Sequence, residues 1–476
     1  MKPYSKSIPI DDHTWLGVVR RITTFAFPTF LFMVMNSGVL IFELWLISHL
    51  GAEALAAFSL CLPLILLMIT MSAGGLGGGV TSAVARSLGN TGRNRSVIRA
   101  ALILGGGAGI FFALAVGLNP GVIFSWLSSD AVLVSQAVDY AVIYFLGAPL
   151  IWLSNTLAGI HRGLAQPGIP AKVGAVSIGL QLLISYPLIL GIGSYDGMGL
   201  TGAALVRVIG FGIQVVLLWR ALDNRFVGEP LLSRFMPVGR HHFYDVLIVG
   251  LPSSFNTLVA AIISIVLTGL ASGMGIHELG GYGVSTRFEA IIFPVMFSIG
   301  TSLIALVGMA WGAGDEVLAR RYVTAGAWMS LVLTSGLGIA LATAPLSFLQ
   351  FFSGDIETAQ AAKEILVITG PTIGLLGFGL AYSFGCQGIK RPLPALTATL
   401  TRLMITILIA AFLPPTSLTG LSVLAVSGMV LFAVVVVMSS GPLFPWAQVG
   451  KAWLSGRVIN GGARSIEQPE RVRLGN

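Results

Sequence analysis

Long apolar runs separated by short polar loops make up most of this chain. Twelve of them reach the roughly 20 residues that a helix needs to cross a bilayer. They lie near 22–50, 54–83, 98–118, 132–158, 170–193, 199–219, 246–272, 281–311, 322–345, 362–386, 394–413 and 419–440. The fold class they predict is an all-α polytopic membrane protein. The first run is too long for a signal-peptide core and lacks a small-residue cleavage site, so it reads as a spanning helix.

The runs fall into two sets of six. In one constant register Pro28 matches Pro252, Gly51 matches Gly275, Leu55 matches Leu279, and Pro170-Ala171 matches Pro394-Ala395. In a slightly shorter register LTGAALVRVIG (200–210) parallels LTGLSVLAVSG (418–428). The expected organisation is a tail at 1–21, a six-helix lobe at 22–220, a linker at 221–245, a second six-helix lobe at 246–440 and a tail at 441–476. Six helices per repeat give both repeats the same orientation. Parallel repeats of this kind build transporters whose site lies between the halves and whose work is the rocking of one half against the other.

Composition agrees with the pattern. The chain of 476 residues is 55% hydrophobic and 10% charged. A soluble protein carries about 25% charged residues. The net charge of +8 does not indicate nucleic acid. Its sources are sorted by side: 23 of the 27 Lys and Arg residues fall on the termini and even-numbered loops, and only Lys363 on the opposite side. Positive residues stay inside. Both termini are therefore expected in the cytoplasm, and the location expected is a bacterial inner membrane. Cys61 and Cys386 lie far apart in apolar runs, and the six histidines show no metal-ligand spacing. Neither a metal nor a cofactor is expected. The run GGLGGG (74–79) lacks the Lys-Ser/Thr end of a phosphate loop and suits close helix packing or a flexible bend.

Charges inside the apolar runs cost about 2.5–3.5 kcal/mol each on insertion scales, so each is a functional candidate. They are Glu43, Arg207, Arg287, Glu289 and Arg402. Glu43 and Arg207 lie equally far along their helices from the same face, which the helical rise converts to a depth of roughly 10 Å. Their repeat counterparts, Leu267 and Ala425, are uncharged, so the pair belongs to the first lobe alone. Desolvation favours the neutral acid and a guanidinium favours the anion, so a carboxylate between the two is able to take up and release a proton. The plainer reading is a permanent ion bridge. Asn36, two turns before Glu43, shares its helix face. Arg287 and Glu289 cannot face each other at a spacing of two, and a Glu289–Arg402 pair inside the second lobe is expected. Asn155, Gln181 and Asn256 suit interhelical hydrogen bonds.

In order along the chain, several segments resemble the MATE family, the multidrug and toxin extrusion transporters. They are Pro28 early in helix 1, ELWLISHLGAEALAAFSL (43–60), GLGGGVTSAVARSLGN (75–90), YGVSTRFEAIIFP (282–294), VGMAWGAGD (307–315) and QGIKRPLPALTATLTR (387–402). The resemblance implies two six-helix lobes in a V. It also implies export of amphipathic, often cationic drugs or toxins by antiport with protons or sodium. Protonation of Glu43 would free Arg207 and change how helix 1 packs, bending it near Pro28. Family members with a well-described lobe site carry acids in both helix 1 and helix 5. Here helix 5 reads LQLLISYPL (180–188), with no acid, and the helix 6 position is Arg207. A guanidinium in place of an oxygen ligand disfavours Na⁺, so the coupling ion expected is H⁺, with Na⁺ as the alternative. The expected partners are small amphipathic substrates, the coupling cation and the lipid bilayer, and the expected state is a monomer. The rival readings are a lipid-linked saccharide flippase or an exporter of anionic metabolites. A membrane enzyme is disfavoured because no convergent catalytic set is visible.

Overall fold

The computed structural model describes residues 14–223 and 238–443. Within them are twelve spans. The first lobe holds α1 (Trp15–Ser48), α2 (Ala52–Arg86), α3 (Thr91–Gly117), α4, α5 (Gly168–Ile189) and α6 (Gly199–Asp223). The span α4 is a broken one, Ala131–Leu146 followed by Ala148–Gly163, bent by 46°. The second lobe holds α7 (Arg240–Ser272), α8 (Ile276–Gly312), α9 (Glu316–Thr343), α10 (Ile356–Gly388), α11 (Leu393–Phe412) and α12 (Leu418–Ser439). Short helices at Pro120–Leu127 and Leu346–Ser353 precede α4 and α10 at matching places in the two repeats.

Polar residues at the loop ends start these helices by satisfying their first free N–H groups. Thr14 Oγ1 accepts from Gly17 N, Asn90 Oδ1 from Arg93 N, Asp315 Oδ1 from Leu318 N and Asp355 Oδ1 from Thr358 N, at 2.7–3.0 Å. The repeat extends to the backbone. Gly51 and Gly275 take φ of 109° and 155° in the turns after α1 and α7, a region that favours glycine. Ala165 and Lys390, at matching turns after α4 and α10, take φ of 63° and 66°.

Helix 1 begins at Trp15, not near residue 22, and α7 begins at Arg240, not at 246. Hydropathy marks only the stretch that lies in lipid. The polar first turns, with Arg20, Arg21 and Asp245, stay helical beyond it because their caps and backbone bonds do not depend on the bilayer. Of the expected tails and linker, residues 1–13, 224–237 and 444–476 lie outside the described residues.

The two lobes exchange helix ends. The first half of α1 gives Val18, Ile22, Phe25 and Ala26 to a core with Leu303, Leu306 and Tyr322 of the second lobe. Its last turns give Leu46 and Ile47 to the core of the first lobe. Likewise Val246 of α7 joins the first lobe's core, whereas Ile263, Leu267 and Ala271 pack in the second lobe. Pro28 and Pro252 lie between the two halves of their helices, and both helices run through them unbroken. A proline removes one backbone hydrogen bond from a helix and crowds the preceding turn. Each lies where its helix passes from one lobe to the other.

An even number of spans puts both ends of the described chain, and with them most of its Lys and Arg residues, on one face, called here the basic face. The contacts between lobes gather on that half. A Cβ on Gly79 of α2 would stand 2.6 Å from Val246 O and 2.9 Å from the Gly250 Cα, so only glycine lets α2 and α7 meet there. The glycine run thus serves close packing, and Met71–Leu76, which overlaps its start, forms a π-helical turn. On the opposite half Asn36, Val34, Leu258 and Ile291 are exposed.

Candidate functional site

Glu43 sits in the second half of α1. From the helical rise it lies roughly 8 Å from the helix end at Ser48. Arg207 lies one turn after the buried Ala203 of α6, and its side chain reaches α1. The structure brings the two together. Arg207 Nε donates to Glu43 Oε2 at 2.5 Å, and Nη2 donates to the same oxygen. Glu43 Oε1 is buried and has no hydrogen-bond partner among the described residues. The pair is nearly dry, with side-chain exposures of 4% for Glu43 and 11% for Arg207. A buried ion pair adds little net stability, but removing one partner strands the other charge at a cost of about 3–5 kcal/mol.

Around the pair stand Tyr140 and Tyr144 of α4, both buried, their rings stacked at 5.6 Å. Both interact electrostatically with Glu43 and Arg207. Phe58 of α2 meets Tyr140 edge-on at 5.2 Å. Hydropathy and charge do not single out these tyrosines, although their spacing of four in YAVIY (140–144) puts both rings on one helix face. Asn36 is not brought to the pair: it is exposed, with no hydrogen bond among the described residues. Pro28 lies in the other half of α1.

In the second lobe, Glu289 and Arg402 line one cavity of about 40 Å³, with Tyr282, Thr369 and Ser422. They attract each other across it, but no salt bridge joins them among the described residues. Leu267 and Ala425, the repeat counterparts of Glu43 and Arg207, line the same cavity. Arg287 is exposed and does not join it. Among the other polar residues, Asn155 donates to Ser72 Oγ at 2.8 Å, joining α4 to α2. Asn256 accepts from Thr399 at 2.5 Å, joining α7 to α11. Gln181 instead bonds within α5, to Ser177.

A third cluster closes the basic face, around an aspartate that hydropathy assigns to the linker. Asp245 of α7 accepts from Arg93 of α3 at 2.8 Å and from Lys390 of the second lobe at 2.5 Å. Arg86 of α2 donates to the carbonyls of Gly388 and Asp245 at 3.2 and 3.3 Å. Ser82 donates to the Gln387 carbonyl. Lys390 also lies 4.8 Å above the Tyr244 ring. These side chains tie the lobes together on the basic face.

Comparison with known proteins fits this architecture. The MatE family model matches residues 28–187 and 252–413, two copies that start at Pro28 and Pro252. The chain belongs to the MatE family. It is therefore a multi-pass membrane transporter of a multidrug efflux family, and not an enzyme. A similar curated protein is the FAD transporter of Shewanella oneidensis, 23% identical over 84% of this chain and 89% of its own length. Another is the probable multidrug resistance protein NorM of Agrobacterium fabrum, 23% identical over 78% of this chain and 80% of its own length. Among solved structures, a multidrug resistance MATE family transporter of the MOP superfamily in its outward-facing conformation superposes with a TM-score of 0.80. It is 20% identical and covers 94% of this chain and 98% of its own, which shows the same fold of twelve helices in two lobes.

Proposed function

We propose that this MATE transporter exports amphipathic small molecules in exchange for protons, and that Glu43 carries the proton. One observation carries the reading: both Arg207 nitrogens that reach Glu43 fall on Oε2, leaving Oε1 buried and unbonded. That oxygen is a ready proton acceptor. Protonation there makes Glu43 neutral and leaves Arg207 as a single charge in an apolar lobe, an expensive arrangement. The lobe relieves it by repacking the second half of α1. Because the other half of α1 packs in the opposite lobe, beyond Pro28, that repacking reaches the contacts between lobes. By the positive-inside rule the basic face is cytoplasmic, in the inner membrane of a bacterium. The described state, closed on the basic face, then opens outward, where an inward proton gradient loads Glu43. Arg207 stands where a sodium site would need an oxygen ligand, which favours protons over Na⁺.

A second reading, export of a flavin nucleotide, comes from the relative named an FAD transporter. The test uses proteoliposomes with an imposed pH gradient or sodium gradient, a fluorescent lipophilic cation or FAD inside, and wild type beside Glu43→Gln. Transport driven by the pH gradient and lost in the variant is the expected result. Transport driven by sodium, or an undiminished Glu43→Gln, rejects proton coupling through Glu43.

A further inference from the structure

Arg162 lies in the last turn of α4, where α4 crosses α2 closely. A Cβ on Gly163 would stand 2.8 Å from Thr81 O, and one on Gly159 would stand 2.9 Å from Gly77 O. Arg162 leaves this crossing toward the other lobe's surface. It lines a gap too narrow for a water molecule, with Phe25 and Thr29 of α1, Pro167, and Thr301, Ser302 and Ala305 of α8. Its Nε is buried without a partner, and no hydrogen bond or ion pair reaches its guanidinium among the described residues. The nearby hydroxyls of Thr301 and Ser302 both donate to the Ser298 carbonyl on their own helix, at 3.2 and 2.7 Å.

The cations described above at this closed seam are satisfied. Arg93 and Lys390 bond the Asp245 carboxylate, and Arg86 bonds two carbonyls. Arg162 has no such acid. Nor is it a fixture of the six-helix lobe, since its counterpart in the register that matches Ala165 to Lys390 is the buried, uncharged Gln387. Its side chain points away from the basic face, along α2, rather than out toward it. Nη2 lies 3.8 Å from where a Cβ on Gly77 would be. From the helical rise, Gly77 is roughly 14 Å along α2 from Arg86. The carbonyl end of α4 favours a positive charge, but it gives the buried Nε no acceptor.

The missing partner is an anion. We propose that Arg162 binds the anionic group of an amphipathic substrate once the lobes part on the basic face, so that this transporter carries amphipathic anions (carboxylates, sulfonates or phosphates on an apolar body). Parting α4 from α1 and α8 turns the gap into the wall of the inward cavity. There Arg162 meets the anionic group, and Phe25 and Ala305 offer an apolar surface beside it. Arg forms its strongest hydrogen bonds with such groups. The inference rests on the reading that the basic face opens to the cytoplasm during export.

The test measures binding and transport separately. Purified full-length protein is titrated with 5-carboxyfluorescein, an anionic dye, and with ethidium, a cationic one, by fluorescence anisotropy. Wild type is expected to prefer carboxyfluorescein. Arg162→Gln is expected to weaken it at least about tenfold and Arg162→Lys to restore it to within about threefold, with ethidium unchanged in both. Ser302→Asp, which supplies a carboxylate partner inside the protein, is expected to weaken carboxyfluorescein about as much and serves where Arg162→Gln does not fold. A wild type that prefers ethidium overturns the proposal. So does a folded Arg162→Gln or Ser302→Asp that binds carboxyfluorescein as wild type does, or one that loses both dyes equally. Arg162-dependent anion binding without transport driven by a pH gradient supports the anion site and rejects proton antiport. Ethidium transport driven by that gradient without anion binding does the reverse.

Discussion

Each lobe holds a glutamate and an arginine in an apolar interior, and the two couples are built differently. In the first lobe Arg207 of α6 grips Glu43 of α1 through a single oxygen. In the second, Glu289 of α8 and Arg402 of α11 face one cavity with no salt bridge between them, and the walls of that cavity include Leu267 and Ala425. Those two residues are the repeat counterparts of Glu43 and Arg207. The duplicated unit has kept a place for an acid and a guanidinium at the same point inside each lobe while changing which helices supply them. A bonded pair ties α1 to α6 and responds strongly to one added proton. A separated pair has little contact to lose.

The largest expected contrast is in coupling. Glu43→Gln is expected to reduce transport driven by a pH gradient about 100-fold, near the upper range for coupling between two sites, while Glu289→Gln stays within about threefold. Efflux from proteoliposomes checks both, and equal losses would erase the distinction between the lobes. Next in size is stability. Arg207→Met strands a buried carboxylate and is expected to cost about 3–5 kcal/mol, with most of it recovered in Glu43→Gln/Arg207→Met. Arg402→Met breaks no direct bond and is expected to cost less than half as much. Thermal unfolding of the purified variants in one detergent ranks them.

Packing gives a smaller effect of opposite sign in the two lobes. Ala425 lines the small second-lobe cavity. Ala425→Val fills part of it and is expected to gain at most about 1 kcal/mol, from roughly 24 cal/mol per Å³ filled. Ala204 lies in the fully buried wall next to Arg207. Ala204→Val is expected to lose about 1–3 kcal/mol by overpacking. The same melts would show no difference in sign if both lobes were packed alike. Smallest is Ser422→Ala, which removes a buried hydroxyl without a partner from the second cavity. It is expected to shift stability upward by less than about 1 kcal/mol.

Much of this is readable from residues. Depth sets Glu43 beside Arg207 because position along a spanning helix converts directly into depth. Glu289 and Arg402 are matched by the same argument, but depth says nothing about the last few ångströms, and no salt bridge closes that gap. Asn36 shares the spacing of Glu43's face, yet it is exposed and does not reach the pair. Asp245 is hidden in the linker because a charged first turn lowers hydropathy without ending a helix. Arg162 counts in the sequence only as one more positive residue on the basic side. Nothing in its neighbours along the chain says that its guanidinium lacks a partner.

The amino-acid sequence alone determined the spans, the sidedness expected of them, the duplication and the membership in a transporter family. These depend on hydropathy, charge and repeats, which are properties of neighbours along the chain. Tertiary structure decided which half of α1 and α7 packs in which lobe, which oxygen of Glu43 is left open, and which arginine at the seam lacks an acid. Each of these is a contact between residues distant in the chain, set by how two six-helix units pack against each other.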